Sequence, residues 1–197
     1  LMYFGTGERG FGNADGVRGM GIWRSADGGV TWDLMPTTGG NAFQIINKIV
    51  VDNGGQIYVA TSSGLFRSSD GGATWPEILG TGVGAVNDNV QDFEIAAGGD
   101  LFAGIGGDGV YRFRNNSWAK LTTGLPPSAS FGRVEIACAP GNANVVYAAF
   151  EDITQTDNTN PCLSIRHSIN GGDNWTARTV PAMGIFCWYA FILAVDP

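Results

Sequence analysis

The sequence predicts an all-β protein, a β-propeller of four-stranded antiparallel blades, with about four blades in 197 residues. Three observations carry this. The string Ser25-Ala26-Asp27-Gly28-Gly29-Val30-Thr31-Trp32 returns as Ser68-Ser69-Asp70-Gly71-Gly72-Ala73-Thr74-Trp75, and more loosely as Ser168-Ile169-Asn170-Gly171-Gly172-Asp173-Asn174-Trp175. A short motif recurring at long intervals marks a repeat architecture. Trp32 to Trp75 spans 43 residues and Trp75 to Trp118 another 43, while Trp118 to Trp175 spans 57 because the fourth unit carries an insertion. A period near 43 with four short strands suits a propeller blade. No window of helical length places apolar residues at i, i+3, i+4 and i+7, and 31 glycines without a Gly-X-Y period mean tight turns.

Each element follows from the pattern of apolar runs and turns. In the first segment, Met2–Gly7, Gly21–Ser25 and Trp32–Met35 read as strands B, C and D, with no strand A. The second segment is complete: Ile46–Asp52 (A), Ile57–Ser62 (B), Gly64–Ser68 (C) and Trp75–Leu79 (D). Asn53-Gly54-Gly55 supplies the A–B turn with residues that tolerate positive φ. The third segment reads Val90–Ala96, Leu101–Gly106, Gly109–Arg114 and Trp118–Leu121, and departs from the motif at Arg114-Asn115-Asn116-Ser117-Trp118. The fourth reads Arg133–Ala139, Val145–Glu151, Leu163–Ser168 and Trp175–Val180. Trp188–Val195 looks like a lone strand A that opens a fifth blade; completing the first blade as a four-bladed ring is the alternative. The blades therefore span approximately 1–45, 46–89, 90–132 and 133–187, with 188–197 opening the next. Nearly continuous apolar runs such as Ile49-Val50-Val51 fit inner strands buried on both faces. Leu1-Met2-Tyr3-Phe4 reads as a strand already under way, so both ends read as cuts through a larger propeller that the rest of the polypeptide completes.

Composition narrows the function classes. A hydrophobic content of 44% suits a packed core. Net charge is −7 and the sequence pI is about 4.5, which argues against nucleic acid or an anionic membrane as partner. No apolar run reaches membrane-spanning length and no signal peptide is visible.

The motif Ser-x-Asp-Gly-Gly-x-Thr-Trp resembles the Asp-box, or BNR repeat, of sialidase-like and sortilin-like propellers, of xyloglucan-active glycosidases and of many secreted bacterial proteins. The resemblance covers nearly the whole chain and implies a box at each C–D hairpin. The structural reading covers Ser25, Asp27, Gly28, Gly29 and Trp32; Ser68, Asp70, Gly71, Gly72 and Trp75; Trp118; and Ser168, Asn170, Gly171, Gly172 and Trp175. The aspartate accepts hydrogen bonds from its own turn, the glycines supply φ values closed to other residues, and the tryptophan buries a large ring.

Binding residues are expected at the other end of the strands, where the B–C and D–A connections lie and where long loops concentrate function. Glu8–Met20 holds Glu8, Arg9, Asp15 and Arg18. Asp152–Cys162 holds Asp152, Asp157 and Asn158. These are the candidate ligand residues; solvated insertion loops are the alternative. Gly5-Thr6-Gly7-Glu8-Arg9-Gly10 matches a dinucleotide fingerprint, but the glycines after it cannot start the required helix. His167 is the single histidine, which excludes a multi-histidine metal site. Asn13-Ala14-Asp15-Gly16 and Asp157-Asn158-Thr159-Asn160 offer oxygens without the spacing of a calcium loop. No cofactor or metal is expected. Cys138 reads as a buried thiol. Cys162 and Cys187 fall in the same blade region and are expected to form a disulfide, which implies an oxidising compartment. The sequons at Asn115 and Asn174 fall in turn positions and read as incidental.

Two functions fit. The first is a non-catalytic binding or scaffold propeller of a secreted or cell-surface protein, with a glycan or another surface protein as partner. The second is part of a sialidase-like or xyloglucanase-like glycoside hydrolase whose catalytic residues lie mostly elsewhere. The Arg-Ile-Pro signature of sialidases and the first-carboxylate motif of xyloglucan-active relatives are both absent from the sequence. No catalytic residue is assigned, since fold alone does not convey activity.

Overall fold

The computed structural model describes residues 1–8, 16–154, 162–181 and 192–196. Among these, every extended element falls into one of four antiparallel sheets. Blade 1 is β1 (Met2–Gly5), β2 (Ile22–Ser25) and β3 (Asp33–Leu34). Blade 2 is β4 (Ile46–Val51), β5 (Ile57–Thr61), β6 (Gly64–Ser68) and β7 (Glu77–Leu79). Blade 3 is β8 (Val90–Ile95), β9 (Leu101–Ile105), β10 (Gly109–Arg114) and β11 (Ser117–Leu121). Blade 4 is β12 (Phe131–Cys138), β13 (Val146–Asp152), β14 (Cys162–Ser168) and β15 (Thr176–Arg178). Strand order follows chain order in every sheet, so each blade is a meander. Among the described residues helix is limited to single 3-10 turns, such as Pro36–Thr38 with proline at its start.

The chain divides into two compact units, Leu1–Val90 and Gln91–Pro197. Within the first unit, Ile22, Met35 and Phe43 of the first segment pack on Ile57, Val59 and Phe66 of blade 2. Within the second, Phe102 and Val110 of blade 3 pack on Phe131, Val134, Ile136, Val146, Ala148 and Phe150 of blade 4. Each core is therefore the seam between two blade faces, as radial stacking requires. In the second unit the inner strands are also joined by side chains. Gln91 Oε1 accepts from Val134 N at 2.9 Å, and Asp92 Oδ2 accepts from Ile136 N at 2.7 Å. That satisfies backbone donors of β12 and gives the buried Asp92 carboxylate its partner.

The repeated turns close the C–D hairpins as a network. Ser68 Oγ donates to Asp70 Oδ1 at 2.7 Å and accepts from Gly72 N at 2.8 Å. Asp70 accepts from Thr74 N at 3.0 Å and from the Thr74 hydroxyl at 2.6 Å. The turn at Ser25 repeats these bonds at Asp27, Gly29 and Thr31. In blade 4, Asn170 takes the aspartate's place and still accepts from Ser168 Oγ and Asn174 N. Both glycines of all three turns have φ between +66° and +94°, a region closed to most residues. Blade 3 uses a different device: Asn115 and Asn116 sit at φ +53° and +60° in a two-residue hairpin between Arg114 and Ser117. This is the left-handed pair that such hairpins need and that Asn tolerates.

Several ends differ from expectation. β7 begins at Glu77 rather than Trp75, because Pro76 has no N–H to give the ladder; its carbonyl accepts from Arg67 N instead, beside a register shift. β15 is only Thr176–Arg178. Of the expected fifth-blade strand, Trp188–Phe191 lie outside the described residues, and Ile192–Asp196 form no ladder. Leu193 instead packs beside Ala149 and Ile165.

Candidate functional site

The ladder arithmetic puts A–B and C–D turns at one end of each blade and B–C and D–A connections at the other. At this second end, the second unit holds a cavity of about 320 Å³. Its polar wall comes from the three-residue B–C turn of blade 3 (Gly106-Gly107-Asp108), from β11 and from the D–A connection. Asp108 is the polar anchor, at 2% exposure. Tyr111 Oη donates to Asp108 Oδ2 at 2.9 Å, and Lys120 Nζ makes an ion pair with Oδ1. Ser128 Oγ donates to the Asp108 carbonyl at 2.6 Å and lies 3.2 Å from Lys120 Nζ. Leu125, Pro126, Pro127 and Phe150 form the apolar wall. A buried carboxylate is costly unless paired and hydrogen-bonded, and here it is both. The pairing leaves a cavity whose polar wall combines the Asp108–Lys120 ion pair with the Ser128 hydroxyl.

Four residues contribute and none repeats. Asp108 stands where blade 2 has Ser63, just before the glycine that opens strand C, and Lys120 projects from strand D. In the sequence Gly107-Asp108 shows only as a short turn, and nothing there singles out Tyr111, Lys120 or Ser128. The available signal was a charged residue in that short turn.

Further buried carboxylates sit in blade 4. Arg133 Nη2 pairs with Glu135 Oε1 at 2.7 Å, and Arg133 N donates to Glu151 Oε2 at 2.7 Å. Asp152 ends β13 at 7% exposure, and its Oδ1 accepts from Thr154 N at 2.8 Å and from the Thr154 hydroxyl at 2.6 Å. That carboxylate oxygen shapes the start of the long loop. Glu8 and Arg18 are exposed in the first unit, and the Glu8 N to Val17 O bond of 2.8 Å closes the base of their loop. Arg9, Asp15, Asp157, Asn158 and Cys187 lie outside the described residues. Cys162 begins β14, and Cys138, at the end of β12, is half-buried rather than buried as the sequence suggests. Among the described residues, no three His, Cys, Asp or Glu side chains are grouped to hold a metal ion. No helix among them is long and apolar enough to cross a membrane.

Elsewhere charges serve the turns. The Thr74 hydroxyl and amide, then Ser68, hold the Asp70 carboxyl far below its usual range, and Thr31 and Ser25 do the same for Asp27. Arg112, bonded to Gly171 O at 2.5 Å and Asp173 at 2.6 Å, ties β10 to the turn of blade 4 and lowers the Asp173 pKa. His167 occupies the register slot of Arg24, Arg67 and Arg112, with its ring 4.4 Å from that of Tyr147. Burial, then the Arg178 charge, lowers its pKa.

The fold and cavity define a β-propeller module with a small polar recess on its loop face. No protein-family model matches the chain, and no curated protein does. Among solved structures, the chain is similar to a glycoside hydrolase family 74 (GH74) enzyme of Niastella koreensis, with TM-score 0.61 and 23% identity over 80% of this chain and 26% of that one. It is likewise similar to the GH74 xyloglucanase of Xanthomonas campestris, with TM-score 0.65 and 20% identity over 82% and 27%. A third is YCF48 bound to a D1 peptide, with TM-score 0.55 and 16% identity over 81% and 47%. At these identities the likeness establishes the fold, a β-propeller. The chain spans about a quarter of the length of the two GH74 enzymes.

Proposed function

We propose that this chain is part of a secreted or cell-surface Asp-box propeller that binds rather than cleaves, with the Asp108–Lys120–Ser128 cavity as its ligand recess. The carrying observation is that this cavity is built from unrepeated side chains at the loop end of the blades. Repeated residues maintain the scaffold, so an unrepeated polar cluster is where a function distinct from folding belongs. Its mutually paired charges and its hydroxyl suit a neutral, hydroxyl-rich ligand such as a glycan. A surface-protein segment with a small polar side chain is the other partner of this chemistry.

Kinship with the Asp-box family is supported by two full motif copies whose serine, aspartate and threonine bond as one network. A Cys162–Cys187 disulfide is supported by their shared blade region in the sequence; non-reducing peptide mapping should find that pair linked. Secretion rests on this pair and the family resemblance. The competing reading, a glycoside hydrolase fragment, is favoured by the fold likeness to the GH74 enzymes.

Glycan-array binding by the intact protein separates the two, with hydrolysis followed on any hit. Binding without turnover, weakened about tenfold by Ser128→Ala or Lys120→Arg as expected for loss of one good polar contact, supports a binding module. Turnover of a bound glycan overturns it.

A further inference from the structure

Two departures from the repeat meet in blade 4. In the first three blades one ladder position of strand C holds an arginine: Arg24, Arg67 and Arg112. Blade 4 has His167 there, opposite Tyr147. On strand D, blades 2 and 3 carry Leu79 and Leu121, each opposite the residue two before that arginine. Blade 4 carries Arg178 at this place, opposite Ile165. The guanidinium has thus moved from strand C to strand D, and an imidazole takes its former position. The two replacements bond to each other: Arg178 Nη2 donates to His167 Nδ1 at 2.5 Å. A guanidinium is charged at every accessible pH, whereas an imidazole changes its charge near neutrality.

The bond fixes the state of the ring. Arginine only donates, so Nδ1 carries a lone pair and the imidazole proton sits on Nε2. The ring is then neutral, and it lies 4.4 Å from the Tyr147 ring at a tilt of 31°. A proton on Nδ1 would remove the acceptor and set two cations in contact. Among the described residues no carboxylate bonds to either side chain. On β12 Glu135 pairs with Arg133, and on β13 Glu151 accepts from Arg133 N. Asp173, in the turn that joins β14 to β15, pairs with Arg112. Arg166 of β14 alternates to the other face, between Ala148 and Ala177 in the ladder. The strand that Arg178 belongs to is lightly held. β15 is three exposed residues with three ladder partners on β14, and the Thr176 hydroxyl donates to His167 O at 3.2 Å. Its start is firm, because Trp175 is 4% exposed and its Nε1 donates to Gly172 O at 2.9 Å. Release of Arg178 is therefore felt at the other end of β15, where the D–A connection begins on the loop face.

We propose that His167 and Arg178 form an acid-released latch on blade 4. Neutral His167 holds the Arg178 guanidinium and with it the loop end of β15. Protonation of Nδ1 expels the guanidinium, and β15 parts from β14 from Arg178 back towards Thr176, while Trp175 and the turn before it stay in place. Blades 1 to 3 have no such response, since their arginines keep one charge throughout. The sign of the effect follows from the surroundings of the ring. Burial, then the Arg178 charge, holds the His167 pKa below 6.5. Folding thus favours the neutral ring, and this contribution is present above 6.5 and lost as pH falls through the folded value.

Hydrogen exchange of the β14–β15 ladder amides tests this, corrected for the intrinsic pH dependence of exchange. Between about pH 7.5 and about pH 4.5 these amides should exchange about tenfold faster, as the loss of one hydrogen bond to a charged group implies. The β9 and β13 amides should not change over the same range. His167→Gln keeps an acceptor for Arg178 but does not titrate, so its β15 exchange should be flat with pH. Arg178→Gln keeps a donor without the charge, so the His167 ring, followed by NMR, should titrate at a higher pH than in the parent. The proposal is overturned by pH-independent β15 exchange in the parent, by the same pH dependence in His167→Gln, or by an unmoved His167 titration in Arg178→Gln.

Discussion

Ser68 and Asp70 show how one side chain can hold a turn. Ser68 is fully buried and spends its hydroxyl on Asp70 Oδ1 and Gly72 N. Ser68→Ala should therefore destabilise by about 1–3 kcal/mol, the usual result of orphaning buried partners, read as a lower urea midpoint. The aspartates set the sign of an acid effect. Their folded pKa values lie below the ordinary 3.8, so their contribution is present above that value and is lost as pH falls through the folded range. Asn170 has no such titration, and an Asp27→Asn, Asp70→Asn double variant should lose less stability than the parent below about pH 4. Glu77 runs the other way. Burial, then the neighbouring Asp88 charge, raises its pKa above 4.5. Folding then favours the protonated acid, and that contribution is full below 4.5 and lost as pH rises through the raised folded value. Glu77→Gln should raise the urea midpoint at pH 7 and change it little near pH 4.

At the scale of elements, the turns were the legible part. Asp-Gly-Gly, Asn-Gly-Gly and Asn-Asn announce backbone that only a few residues can adopt, and strands were readable between them. Strand ends were less so, because they depend on what the ladder can use. Pro76 removed two residues from β7 for want of one N–H. The 3-10 turn at Pro36–Thr38 was invisible because Thr38 is held from outside its own segment: Ile22 N donates to its hydroxyl at 2.9 Å, and that hydroxyl donates to Met35 O at 2.8 Å. The Asn115-Asn116 hairpin gives this scale its test. A β-branched residue at a left-handed position is strained by roughly 1–2 kcal/mol, so Asn115→Val should lower the thermal midpoint while Asn116→Gly leaves it unchanged or higher.

For the whole molecule, the repeat gave the blade count and direction, and it located the loop face. It could not give the cavity. Asp108, Lys120, Ser128 and Phe150 are far apart in sequence, ordinary one by one, and meet only where blade 3 packs on blade 4. The same seam explains where stability resides. Phe102 is fully buried among residues of both sheets, and Phe131 and Phe150 meet edge-to-face at 4.9 Å. A core that is a seam has no slack within one blade to refill a void, because each face is fixed by its own ladder. Phe102→Ala should therefore sit near the full large-to-small cost of about 3–5 kcal/mol, read by hydrogen exchange as faster opening of the slowest amides in β9, β12 and β13. In the first unit Phe43 plays the corresponding part from outside any strand, packed on Phe66 at 5.0 Å and Trp75 at 5.5 Å. Phe43→Ala should accelerate exchange in β5 and β6. Unchanged protection there would mean that the blade 2 sheet, rather than the seam, carries that unit's stability.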